Sequence, residues 1–113
     1  MELNSGDAAP GFATTDIFGK PVRLKDYEGK KLLICFYRYA GCPFCNVLLH
    51  SLIERYPKLH FRGLEVIAFI QSPRDKIFEY PMKRQNPKPP FPLVADPNME
   101  VYNLYKVKLS VAG

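Results

Sequence analysis

The sequence predicts an α/β fold built around a parallel sheet, and its hydrophobic patterning carries the prediction. Two apolar runs, Lys31 to Tyr37 and Leu64 to Ile70, lack the in–out alternation of a half-exposed strand, as strands buried on both faces do. Between them Val47, Leu48, Leu49, Leu52, Ile53 and Tyr56 recur at helical spacing. Strand, helix and strand in that order make a βαβ unit, whose crossover is expected to be right-handed.

Ahead of this unit, residues 1–29 are rich in turn formers. Phe12-Ala13-Thr14 and Val22-Arg23-Leu24 flank Asp16-Ile17-Phe18-Gly19-Lys20 and predict a small N-terminal β-hairpin. Pro57 is expected to end the first helix, because proline removes a main-chain donor and clashes with the preceding turn. His60 then falls in a loop. Ser72-Pro73-Arg74-Asp75 predicts a second helix start, with serine as cap, proline in the first turn and an acid three residues after the serine. Pro81 should shorten or kink that helix, and the prolines from 81 to 92 predict an extended connector. Phe91 to Ala95 fits a third strand with Pro92 near its start, and Asp96-Pro97-Asn98 a turn into a short helix over Met99 to Tyr105.

The 113 residues suit a single domain spanning 1–113, and a hydrophobic fraction of 47% marks it as globular. The apolar runs fall far short of the roughly 20 residues of a membrane span, so no membrane association is expected. The net charge of +5 is scattered in pairs such as Lys30-Lys31 and Lys83-Arg84, which argues against nucleic-acid binding. The start Met1-Glu2-Leu3-Asn4 has neither a basic nor an apolar leader region, and three cysteines are too few for a disulfide scaffold. A cytoplasmic location with working thiols is the expectation.

Cys42-Pro43-Phe44-Cys45 sits where the first apolar run gives way to the helix. A sulfur there meets free main-chain N–H groups and the positive end of the helix dipole, an interaction worth about 0.3–1 kcal/mol and roughly 2 when partly buried. Pro43 suits the first helical turn, placing Cys42 at or near the cap and Cys45 about a turn later, facing inward. This favours a thiolate on Cys42, with Arg38 as its electrostatic helper. Three readings of the pair stand: a redox dithiol, the leading one; a structural zinc site, which needs two further ligands; and two inert thiols. Cys35 lies mid-strand and His50 and His60 are not at a paired spacing, so no metal set is assigned. His50, five residues beyond Cys45, is expected to pack or face solvent rather than to act as a base. Tyr39 is a candidate for the mouth of the site.

Gly6-Asp7-Ala8-Ala9-Pro10-Gly11-Phe12, followed by Asp16, Gly19-Lys20, Leu24, Gly29-Lys30-Lys31, Phe36-Tyr37 and the cysteine loop, closely resembles the peroxiredoxins of the alkyl hydroperoxide reductase and thiol-specific antioxidant (AhpC/TSA) group, within the thioredoxin-like superfamily. Phe91-Pro92-Leu93-Val94-Ala95-Asp96-Pro97 also matches. The resemblance implies a thioredoxin-like fold with an N-terminal β-hairpin extension. Such a fold normally continues with a β-hairpin and a final helix, which do not follow Gly113, so a C-terminally truncated domain is expected.

The cysteine loop departs from the family. Peroxiredoxins usually carry a proline, a threonine four residues on, and the peroxide-attacking cysteine three residues later. Aligned on Phe36-Tyr37, these fall at Arg38, Cys42 and Cys45. The family pattern thus favours Cys45 as the attacking thiol, whereas helix geometry favours Cys42. The CxxC fits a peroxiredoxin-like subgroup and is similar to the Cys-Pro-Tyr-Cys of glutaredoxins.

The resemblance implies an antioxidant oxidoreductase, a thiol-dependent peroxidase in which a Cys42–Cys45 dithiol–disulfide cycle turns over a peroxide without a cofactor; Arg38 is the helper that its place just upstream of the CxxC suggests. The reductant would be a thiol donor such as thioredoxin or glutaredoxin, with a homodimer as the candidate assembly. The alternatives are a thioredoxin-like protein disulfide reductase without peroxidase activity and a non-catalytic pairing or zinc-binding module.

Overall fold

The computed structural model describes residues 8–79 and 89–107. A hairpin of β1 (Ala13–Thr15) and β2 (Pro21–Arg23) comes first, antiparallel with Thr14 opposite Val22. Its turn is closed by the Asp16 carboxylate, which accepts the N–H groups of Phe18 at 2.8 Å and Lys20 at 2.9 Å. Leu24, expected in the second strand, instead opens a 3₁₀ turn, Leu24–Tyr27.

The main sheet has three parallel strands in the order β3 (Lys31–Tyr37), β4 (Leu64–Ile70) and β5 (Leu93–Ala95). Cys35 lies opposite Ala68, and Ala68 opposite Leu93. The two long strands fall where the apolar runs predict them, but only β4 is buried as predicted, from Val66 to Ile70. Among the described residues β3 is an edge strand, and Leu33 is exposed. An edge position leaves one side of the strand unpacked, which the composition of the run does not reveal. Pro92 stands just before β5, where its missing N–H interrupts no ladder bond, and its carbonyl accepts the Ala68 N–H.

The first helix, α1, spans Pro43–Phe61 and runs through Pro57, contrary to expectation. Proline deletes one helical hydrogen bond, yet the packing of Leu49, Leu52, Ile53 and Tyr56 against the sheet carries the helix past it. The stop is Gly63, whose φ of +85° suits a residue without Cβ, and whose N–H bonds the His60 carbonyl. His60 is consequently helical rather than in a loop.

After β4 comes α2 (Arg74–Glu79), and after β5 comes α3 (Glu100–Leu104). The Asp96 carboxylate caps α3 by accepting the N–H groups of Glu100 at 2.9 Å and Val101 at 2.8 Å. Pro81, most of the proline-rich connector and the C-terminal Val111-Ala112-Gly113 lie outside the described residues.

The sheet separates two cores. On one side Cys42, Cys45 and Leu49 pack with Tyr37, Val66, Ala68, Ile70 and Leu93. On the other, Ile67, Phe69, Val94, Val101 and Tyr102 form a largely aromatic cluster with Phe12 and Phe36. Fully buried Tyr102 places its hydroxyl against the carbonyls of Tyr37 and, at 2.9 Å, Phe69. It thereby ties the C-terminal ends of β3 and β4 together, where β3 leads into the cysteine loop.

Candidate active site

β3 delivers the chain to Arg38, a four-residue loop follows, and α1 begins at Pro43. Cys42 is the N-cap, with extended φ −72° and ψ 112°, and its Sγ accepts the Cys45 N–H at 3.3 Å. Proline at the first helical position presets the turn without losing a needed donor. Both cysteines are buried, and both are free thiols.

Their electrostatics diverge. Burial opposes ionisation of Cys42, but hydrogen bonds from the Cys45 side chain and the Cys45 and Phe44 main chain, with the Arg38 charge, together hold its thiol below the ordinary value. Cys45 is pushed up, first by burial and then by its hydrogen bond to and charge repulsion from Cys42; the Arg38 main chain and guanidinium offset this only in part. The arrangement makes Cys42 the more acidic sulfur and keeps a proton on its neighbour.

Arg38 is half-buried, and its guanidinium lies 5.7 Å from the centre of the Tyr39 ring. Phe36, Tyr37, Arg38, Cys42, Phe44, Cys45 and Leu48 line an open groove of about 550 Å³. Phe44, 71% exposed, is among its lining residues, so a group bound in the groove meets apolar side chains beside Cys42. The structure thus brings Arg38, Cys42 and Cys45 together, as the sequence anticipates.

Other candidates lie elsewhere. Tyr39 lines a neighbouring groove with Ala40, Gly41, Ser72 and Lys76, not the cysteine groove. His50 is half-buried on α1 and does not line the cysteine groove. Cys35 packs beneath α1; burial raises its thiol and a hydrogen bond with Tyr37 partly offsets the rise. His60 Nδ1 pairs with Glu65 at 2.9 Å, at the far end of α1. Among the described residues no three His, Cys, Asp or Glu side chains gather as a metal site would need.

Sequence reasoning missed the polar groups that hold the loop. The Ser72 hydroxyl, expected to cap α2, instead accepts the Ala40 N–H at 2.8 Å, and Asn46 Nδ2 donates to the Ala40 carbonyl at 3.2 Å. Ser72 and Ala40 are 32 residues apart, so no local pattern announces the contact. Asn46, a polar residue on the first helical turn beside the CxxC, is the one hint available.

Known proteins share this framework. The thioredoxin domain of a thiol-disulfide oxidoreductase from Bacteroides vulgatus superposes with a TM-score of 0.73 at 22% identity, covering 97% of this chain and 78% of that one. That match establishes the thioredoxin-like fold. Thiol-disulfide oxidoreductase ResA of Bacillus thuringiensis is 31% identical over 106 residues, 94% of this chain and 60% of the relative. Peroxiredoxin Bcp of Escherichia coli is 31% identical over 81 residues, 72% of this chain and 52% of the relative. The chain therefore spans little more than half the length of these proteins. The two are named for different reactions, one for disulfide exchange and one for peroxide reduction. The AhpC/TSA family profile matches residues 5–112, nearly the whole sequence, and the protein belongs to the AhpC/TSA family.

Proposed function

We propose that the protein is a dithiol oxidoreductase in which Cys42 attacks and Cys45 resolves, with a disulfide as the favoured electrophile. The observation that carries this reading is the position of Cys42 Sγ, on the N–H of Cys45, beside Arg38 and lining an apolar groove. The Cys42 thiolate attacks one sulfur of the substrate disulfide, that S–S bond breaks, and the leaving thiolate takes a proton from solvent. Cys45 then loses its proton and attacks Cys42 Sγ, releasing the second substrate thiol. The substrate gains two electrons and the protein ends with a Cys42–Cys45 disulfide, which an external thiol donor reduces.

Two features favour disulfide exchange over peroxide. Cys42 and Arg38 stand where the family pattern has its threonine and proline. The position matching the peroxide-attacking cysteine is Cys45, whose thiol is raised. Family membership and the resemblance to Bcp favour the peroxidase as a second reading. There the Cys42 thiolate attacks the peroxide, the O–O bond breaks, and water or an alcohol leaves. The sulfenic acid on Cys42 condenses with Cys45, releasing water, and arrives at the same disulfide.

Parallel assays of peroxide consumption and of reduction of an aromatic disulfide separate the two. Disulfide turnover that survives Cys45→Ser only as a trapped mixed disulfide on Cys42 is the expected result. Peroxide consumption without disulfide reduction would overturn the favoured reading in favour of the second.

A further inference from the structure

Ser72 is 7% exposed in the turn between β4 and α2, and its hydroxyl reaches across to the cysteine loop. Ala40, which it holds, is 1% exposed. The Ala40 carbonyl is held from the opposite side by Asn46 on the first turn of α1. Main-chain bonds complete the enclosure: Gln71 N–H to the Arg38 carbonyl at 3.2 Å, Cys42 N–H to that of Tyr39 at 3.1 Å, and Asn46 N–H to that of Cys42 at 3.0 Å.

We propose that Ser72 and Asn46 are positioning residues for the dithiol: by clamping Ala40 from both sides they hold Cys42 in the extended conformation that sets its sulfur on the Cys45 N–H. Each acts through the main chain of Ala40, two residues upstream of Cys42. The coupling is geometric. Hydrogen bonds weaken steeply as they lose alignment, so a loop that relaxes by a fraction of an ångström or a few tens of degrees surrenders the stabilisation of the Cys42 thiolate. Removing the Ser72 hydroxyl also leaves the buried Ala40 N–H without its partner, and the loop must move to find another.

The inference rests on Cys42 being the attacking thiol, so its test reads the sulfur directly rather than turnover. Reduced protein is alkylated with iodoacetamide across a pH series and the label on Cys42 is quantified by peptide mass. Ser72→Ala and Asn46→Ala should each move the onset of Cys42 labelling to higher pH and slow labelling below that onset by about two- to fivefold. Ser72→Thr, which keeps a hydroxyl, should restore it. Val22→Ala, in the opposite core, should lower the unfolding midpoint and leave Cys42 labelling unchanged. Should Ser72→Ala fail to fold, Asn46→Ala decides, because alanine suits a helix. Clamp variants that behave like Val22→Ala, less stable but with unaltered labelling, would overturn the proposal. Wild type that turns over neither disulfide nor peroxide, with labelling still shifted in the clamp variants, would uphold the clamp and remove the functional reading alone.

Discussion

The two ends of α1 use polar side chains in opposite ways. At the Cys42 end, beside the charged Arg38, neutral side chains are tied to fixed main-chain groups: Ser72 to Ala40, Asn46 to Ala40, Tyr102 to Tyr37 and Phe69. At the Phe61 end they pair side chain to side chain and lie nearer to water. His60 pairs with Glu65 and lies against Tyr56, and Phe61 is 91% exposed. Buried hydrogen bonds to the main chain specify geometry, because an unpaired buried group is costly; side-chain pairs near water gain little in high dielectric. The end that must hold a sulfur in place has the first kind.

Substitutions at each end should show the contrast, beginning with the chemistry. Cys42→Ser should lower disulfide turnover by about 10³-fold or more, since the nucleophile itself is lost. A steady-state assay under a thiol reductant measures this. Residual turnover within tenfold of wild type would shift the attack to Cys45. Tyr102→Phe should cost about 1–3 kcal/mol in urea unfolding, because two buried carbonyls lose their hydroxyl. It should also disturb the cysteine end more than the Phe61 end, as hydrogen exchange of the loop amides would show.

Arg38→Met should move the onset of Cys42 thiolate formation to higher pH, because the guanidinium helps to hold that thiol down. His60→Ala should change stability by less than about 1 kcal/mol and leave turnover untouched. A larger effect of His60 on rate would mean that the two ends are coupled through the helix.

The same contrast has a pH signature. Folding lowers the Cys42 thiol, so its thiolate adds stability that is complete above the unfolded value of about 8.5 and is lost as pH falls through the lowered value. Folding raises the Cys45 thiol, so its share is complete below about 8.5 and lost as pH rises through the raised value. Unfolding curves of Cys42→Ser and Cys45→Ser should therefore diverge from wild type in opposite pH directions.

Sequence periodicity revealed the βαβ unit because strands and an amphipathic helix must each present apolar residues at their own period. It also placed Cys42, Pro43 and Cys45 correctly, since proline at the first helical turn and a sulfur at the cap are local chemistry. It misjudged Pro57, where tertiary packing of α1 outweighed a local breaker, and Leu33, whose exposure depends on β3 lying at the sheet edge. Ser72 and Tyr102 were illegible for a further reason. Their partners are main-chain atoms of Ala40, Tyr37 and Phe69, and a carbonyl or N–H looks the same at every position in a sequence.

The account turns on which sulfur ionises first, and site-resolved alkylation of the reduced wild-type protein against pH measures it most directly. Labelling of Cys42 should begin below the ordinary thiol range, with Cys45 still protonated and labelled only at distinctly higher pH. Labelling of Cys45 ahead of Cys42 would contradict it and return the attacking role to the position that the family pattern favours.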